Sequence, residues 1–142
     1  MRELFLDTNV IVDFVMRRPS FYAGASALFS LGYGGQVVLH ASALSFANAA
    51  YIMRNAYSIA EIRRITRSAQ SVISVVPLSD THLTAAFDEA SPFTDIEDGM
   101  QHDSALEAGA QVIITRDIGD FAAASLPVMT PTQFLAQRAA SA

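Results

Sequence analysis

The sequence predicts an α/β protein built on a central parallel sheet of four to five strands, with helices on both faces. Short continuous apolar runs recur between longer stretches of helical periodicity, the pattern of βα units rather than of hairpins. Helix starts are marked by Ser, Thr or Asp, and helix ends by Gly or Pro. Of the 142 residues, 51% are apolar, enough for one core, and no linker or repeat divides the chain, so a single domain is expected over 1–142.

Taken in order, Leu4 to Leu6 forms the first strand, and Val10 to Met16 a short helix that stops before Pro19. Ser20 is placed to cap a second helix, ended by Gly32, Gly34 and Gly35. Val37 to Leu39 is the second strand, and Ser42 opens a long helix toward Ala56. Ser58 and Glu61 make a capping box for the next helix, toward Gln70. Val72 to Val76 is the third strand, stopped by Pro77, and Ser79 caps a helix reaching Ala90. Thr94-Asp95-Ile96-Glu97 reads as a second capping box, opening a helix that ends at Gly109. Val112 to Thr115 is the fourth strand, Val128-Met129 a short fifth, and Thr130-Pro131 starts a final helix with Thr as cap.

Composition excludes several chemistries. There is no Cys, hence no disulfide, thiolate nucleophile or thiolate metal site. All nine basic residues are Arg, so a Schiff-base lysine and a phosphate-loop lysine are excluded. Against them stand fourteen acids, a net charge of −5, which disfavours a general nucleic-acid coat but not a nuclease whose acids hold cations. The chain starts with only a short apolar run before Asp7, unlike a signal peptide, and no stretch approaches a membrane span; a soluble cytoplasmic protein is expected.

The chemistry gathers around acids. Ligands of parallel α/β sheets bind outside the carboxyl ends of the strands. Asp7 follows the first strand and Asp117 the fourth, so the two can face each other across one edge. Asp95, Asp98 and His102 share a helix face, with Glu97 turned elsewhere and assigned to the capping box. Carboxylates converging without lysine would repel one another, and Mg²⁺ or Mn²⁺, which prefer oxygen ligands, would relieve this. Each acid also has a structural reading. Asp7 suits a helix N-cap, Asp117 a turn, and Asp95 and Asp98 the positive end of a helix dipole. Asp13, Asp103 and Glu107 are expected on solvated helix faces, Asp120 in a loop, and His102 in packing.

The blocks Leu6-Asp7-Thr8-Asn9-Val10 and Asp98 through Ser104-Ala105-Leu106-Glu107-Ala108-Gly109 to Ile114-Thr115-Arg116-Asp117, with the trailing Asp120-Phe121, resemble the PIN-domain ribonucleases, in particular VapC-like toxins of toxin–antitoxin pairs. The resemblance spans nearly the whole chain. It implies a PIN-like fold, Mg²⁺- or Mn²⁺-dependent hydrolysis of RNA, a cognate antitoxin and a homodimer. It implies that Asp7, Asp98 and Asp117 are catalytic and hold metal, with Asp95 as an added ligand. Thr8, Asn9 and Thr115 would steady the site. One position departs: the family usually carries Glu in the helix after strand two, where Asn48 stands here. Asn offers a carbonyl oxygen but no charge.

Two rivals follow from the same residues. An aspartyl-phosphate mechanism also uses an Asp after strand one, but its phosphatase form wants Asp where Asn9 stands, and its lysine is missing. A catalytically weakened PIN-like module binding RNA or protein is the alternative that Asn48 suggests; the retained Asp7, Asp98 and Asp117 argue for activity.

Overall fold

Strand β1 (Arg2–Leu6) lies at the centre of a five-stranded, all-parallel sheet in the order β3-β2-β1-β4-β5. The computed structural model describes residues 2–141; the end residues 1 and 142 of the expected domain lie outside them. The other strands are β2 (Val37–Ser42), β3 (Ile73–Val76), β4 (Val112–Ile114) and β5 (Val128–Met129). The helices are α1 (Thr8–Val15), α2 (Tyr22–Tyr33), α3 (Ala43–Met53), α4 (Ile59–Gln70), α5 (Asp80–Ala86), α6 (Ile96–Glu107) and α7 (Pro131–Ala140), with a 3₁₀ turn at Ile118–Phe121.

Strand alternation divides the core between the two faces. Leu4, Leu6, Val112 and Ile114 join residues of α1 to α4 and α7, including Ile11, Leu28, Met53 and Phe134, in the larger cluster. Phe5 and Ile113 point the other way, against Ala105 of α6 and Phe121 of the 3₁₀ turn. Each large side chain buried here contributes about 1.5–3 kcal/mol. Helices therefore cover both faces, as the apolar runs predict.

The winding sets the site. From β1 the chain moves outward to β2 and β3, then crosses back to β4 on the other side of β1. The order reverses between β1 and β4, and a crevice opens at their carboxyl ends. Asp7 and Asp117 flank that crevice.

Several local expectations hold. Ser42 accepts a hydrogen bond from Leu44 N, Ser58 and Glu61 form their capping box, and Thr130 forms another with Gln133 before Pro131. Gly35 and Gly109, at φ +73° and +71°, take the left-handed turns after α2 and α6.

Others are corrected. Ser20 does not cap α2: Phe21 takes the N-cap position, and Ser20 sits at φ +72°. The chain turns back after α1 through left-handed residues at Arg17 and Ser20, which denies Ser20 the extended backbone a cap needs. Strand β2 runs three residues further, to Ser42, so His40 lies within it and pairs with Glu3. Helix α5 stops at Ala86, four residues early, and Asp88 holds a turn with Ala90 N. Asp95, not Thr94, caps α6 by accepting from Asp98 N, so Thr94 and Glu97 form no capping box. Asp is at least as good an N-cap as Thr, and here it wins.

Candidate active site

Asp7 follows β1 with its amide still bonded to Ile114 O (2.9 Å), and its side chain turns to cap α1 at Thr8 N (2.8 Å). Capping uses Oδ1; the other oxygen accepts from Thr115 Oγ1 at 2.8 Å. The capping expected of Asp7 thus uses one oxygen, while the other faces Thr115 at the end of β4. Burial raises its pKa, and the charges of Asp117 and Asp120 add to the rise, against the bonds from Thr115 and Thr8.

Asn9 and Thr115 join the two strand ends. Asn9 Oδ1 accepts from Arg116 N (3.2 Å), and its Nδ2 faces Asp117 Oδ2 (3.2 Å), Thr115 Oγ1 (3.3 Å) and Asp7 Oδ2 (3.4 Å). Thr115 Oγ1 also accepts from Asp117 N at 3.0 Å. Behind them Thr8 donates to Ser45 Oγ (2.9 Å), and Gln101 Nε2 reaches both hydroxyls at 3.2 and 2.7 Å. This buried network ties α1, α3 and α6 together beneath the acids. Ser45 and Gln101 were not anticipated; no charge or motif marks them in the sequence.

Asp7, Asp95, Asp98 and Asp117 line one pocket of about 270 Å³, together with Glu97 and Asp120. A larger depression of about 460 Å³, lined by Phe14, Tyr22 and Phe29, carries no carboxylate, whereas one of about 400 Å³ shares Asp117 with the acid pocket and is also lined by Asp13 and Arg116. Asp98 is pushed up to about 7 by burial, then by the charges of Asp95, Asp7, Asp120 and Glu97. Among the described residues, no three Asp, Glu, His or Cys side chains stand at metal-binding spacing.

Glu97 is the main correction. With Asp95 as the cap, Glu97 is free of any capping duty and enters the pocket, its carboxylate facing the Asn48 side-chain amide. Burial raises its pKa, as do Asp7 and Asp95, while the hydrogen bond to Asn48 opposes the rise. The expected stripe of Asp95, Asp98 and His102 divides. His102 turns away, bonding Ser125 at 3.0 Å with its ring 5.0 Å from that of Phe93. Asp13 is also not solvated: it is 1% exposed and takes a bidentate bond from Arg116 (2.6 and 3.2 Å). Asp120 shapes its loop and lines the pocket as well.

Comparison with known proteins identifies the architecture. The PIN domain family model matches residues 3–119, and the chain belongs to that family. Similar solved structures include VapC20 of Mycobacterium tuberculosis, described as a toxin cleaving the sarcin–ricin loop (TM-score 0.67, 15% identity, 87% of this chain and 95% of that one). Others are VapBC2 of Rickettsia felis bound to promoter DNA (0.65, 14%, 89% and 96%) and FitAcB of Neisseria gonorrhoeae (0.65, 19%, 91% and 98%). These likenesses are of fold. A search of curated protein sequences gave no match. Among the described residues no helix is long and apolar enough to cross a membrane.

Proposed function

We propose that the chain, as one nuclease domain over 1–142, is a Mg²⁺- or Mn²⁺-dependent ribonuclease and the toxin of a toxin–antitoxin pair. The observation that carries this reading is the meeting of Asp7, Asp98 and Asp117, from three separate elements, in one pocket at the β1–β4 switch point. The donor set is all oxygen, hard and acidic, which fits Mg²⁺ or Mn²⁺. Asp7, Asp98 and Asp117 would hold the ion, with Asp95 and Glu97 as further carboxylates at the α6 end. Mg²⁺ or Mn²⁺ there would supply a water of lowered pKa and offset charge on the scissile phosphate.

The chain's own residues prepare that pocket. Thr115 and the Thr8 amide hold Asp7 in one orientation. Asn9 keeps Asp117 beside it. Asn48, uncharged, faces Glu97 and opposes the rise in its pKa. The retained Asp7, Asp98 and Asp117 on one pocket favour activity over the weakened-module reading.

Kinship of fold with toxin–antitoxin assemblies, including one from Klebsiella pneumoniae, supports a cognate antitoxin, and the sarcin–ricin loop described for VapC20 supports RNA as substrate. A homodimer fits the exposed apolar surface of Tyr51 and Ile59 on α3 and α4, and a cytoplasmic site fits the RNA substrate. The test is RNA cleavage with Mn²⁺, with EDTA, and by Asp7→Asn. Cleavage is expected only for the unmodified chain with metal; cleavage that survives EDTA or the substitution refutes the reading.

A further inference from the structure

Arg18 is the one cation lining the acid pocket, among the described residues. Its side chain is 37% exposed, and its single ionic contact is a long one, 3.8 Å to Asp13 Oδ1. Asp13 is already committed to Arg116 through both oxygens, and that guanidinium stacks over Phe21 at 4.1 Å. Two guanidinium groups thus share one buried carboxylate, and the surplus positive charge falls on Arg18. No hydrogen bond from the Arg18 guanidinium is present among the described residues, and none of the pocket acids pairs with it. Five donors in a planar fork therefore stand unspent at the rim of the acids.

The backbone around it is strained in the same place. Arg17 at φ +50° and Ser20 at φ +72° are the non-glycine residues in the left-handed region, and they flank Arg18 within a single turn. Strain of this kind persists where the surrounding structure enforces it, often at ligand-binding positions. Here the turn places Arg18 on the lining of the same pocket as Asp7, Asp98 and Asp117.

We propose that Arg18 is the phosphate-binding residue of the pocket, engaging the non-bridging oxygens of the RNA backbone at the cleavage position. This rests on the ribonuclease reading. Carboxylates alone repel a polyanion, and a guanidinium fork suits bidentate contact with a phosphate. Arg18 acts by positioning substrate; it holds no metal.

The test measures binding of a short labelled oligouridylate in Ca²⁺ by fluorescence anisotropy at several salt concentrations, with Mn²⁺ affinity measured separately by calorimetry. Arg18→Met is expected to weaken RNA binding about tenfold and to reduce the salt slope by about 0.7, the share of one contact on a single strand. Its Mn²⁺ affinity should stay within about twofold of the unmodified chain. Arg18→Lys keeps the charge and loses the fork, so affinity should fall about threefold with the slope unchanged; this variant carries the test if the Met variant does not fold. Arg17→Met, in the same turn, should match the unmodified chain. RNA affinity and slope unchanged in Arg18→Met overturn the proposal alone if the unmodified chain binds Mn²⁺ and cleaves RNA. If the unmodified chain binds neither Mn²⁺ nor RNA, the ribonuclease reading falls and this proposal with it.

Discussion

Thr115 Oγ1 donates to Asp7 Oδ2 at 2.8 Å and so locks the ends of two adjacent parallel strands across the crevice where their winding reverses. The same hydroxyl accepts from Asp117 N, so one buried oxygen sets both acids. Thr115→Val keeps the shape and removes the hydroxyl. The loss should cost about 1–3 kcal/mol, because a buried carboxylate loses its donor and a backbone amide its acceptor. It should also raise the Asp7 pKa further and weaken Mn²⁺ binding near neutral pH. Thermal melts and calorimetry check the two effects; a variant unchanged in both contradicts the role.

Stability of the metal-free protein should depend on pH in a defined direction. Asp98 is raised to about 7 and Asp7 and Glu97 are raised too, burial being the largest cause in each. The folded state therefore binds protons more tightly than the unfolded chain between about pH 4 and 7. Their contribution is present at low pH and lost as pH rises through about 7. In EDTA, Tm should fall between pH 5 and 7.5; with saturating Mn²⁺ the trend should reverse, because the ion binds the ionised form. A flat or rising Tm in EDTA would show that these carboxyls are not raised in the folded protein.

Asn48 and Glu97 should be exchangeable as a pair. Glu97→Gln is expected to weaken Mn²⁺ binding roughly tenfold. Asn48→Glu combined with Glu97→Gln should restore much of it, since the carboxylate merely moves to the other side of the same contact. Calorimetry on the single and double variants decides; an unrecovered double variant argues that Glu97 must sit on α6.

Arg116→Met should destabilise the fold by about 2–4 kcal/mol, less than for a fully buried pair because its side chain is 26% exposed. Asp13 would keep only the long contact to Arg18. Asp13→Asn, which removes the buried charge, should cost less than Arg116→Met. Urea denaturation orders the two, and the reverse order would mean that Asp13 is not the dominant buried charge.

Much of this was legible in the sequence, and its failures have physical causes. Strand positions followed from apolar runs such as Leu4 to Leu6, because a buried parallel strand tolerates little else. Asp7 and Asp117 could be paired because strand ends share an edge. Glu97 was misplaced because two residues competed to cap α6, and the choice of Asp95 over Thr94 decides whether Glu97 serves the backbone or the pocket. Helical periodicity places Asp13 on a solvated face because its partner Arg116 lies 103 residues away, beyond the reach of any local pattern. The Gln101 and Ser45 contact is likewise a product of packing between α6 and α3. The acids and their neighbours Thr8, Asn9 and Thr115 lie in spaced motifs, whereas the buried support from Ser45 and Gln101 exists only in three dimensions.

The most direct measurement is the anomalous diffraction of a crystal grown with Mn²⁺. A peak bonded to carboxylate oxygens of Asp7, Asp98 or Asp117 within the pocket is the predicted result. Saturating Mn²⁺ with the peak elsewhere, or with no peak between the ends of β1 and β4, would contradict the account.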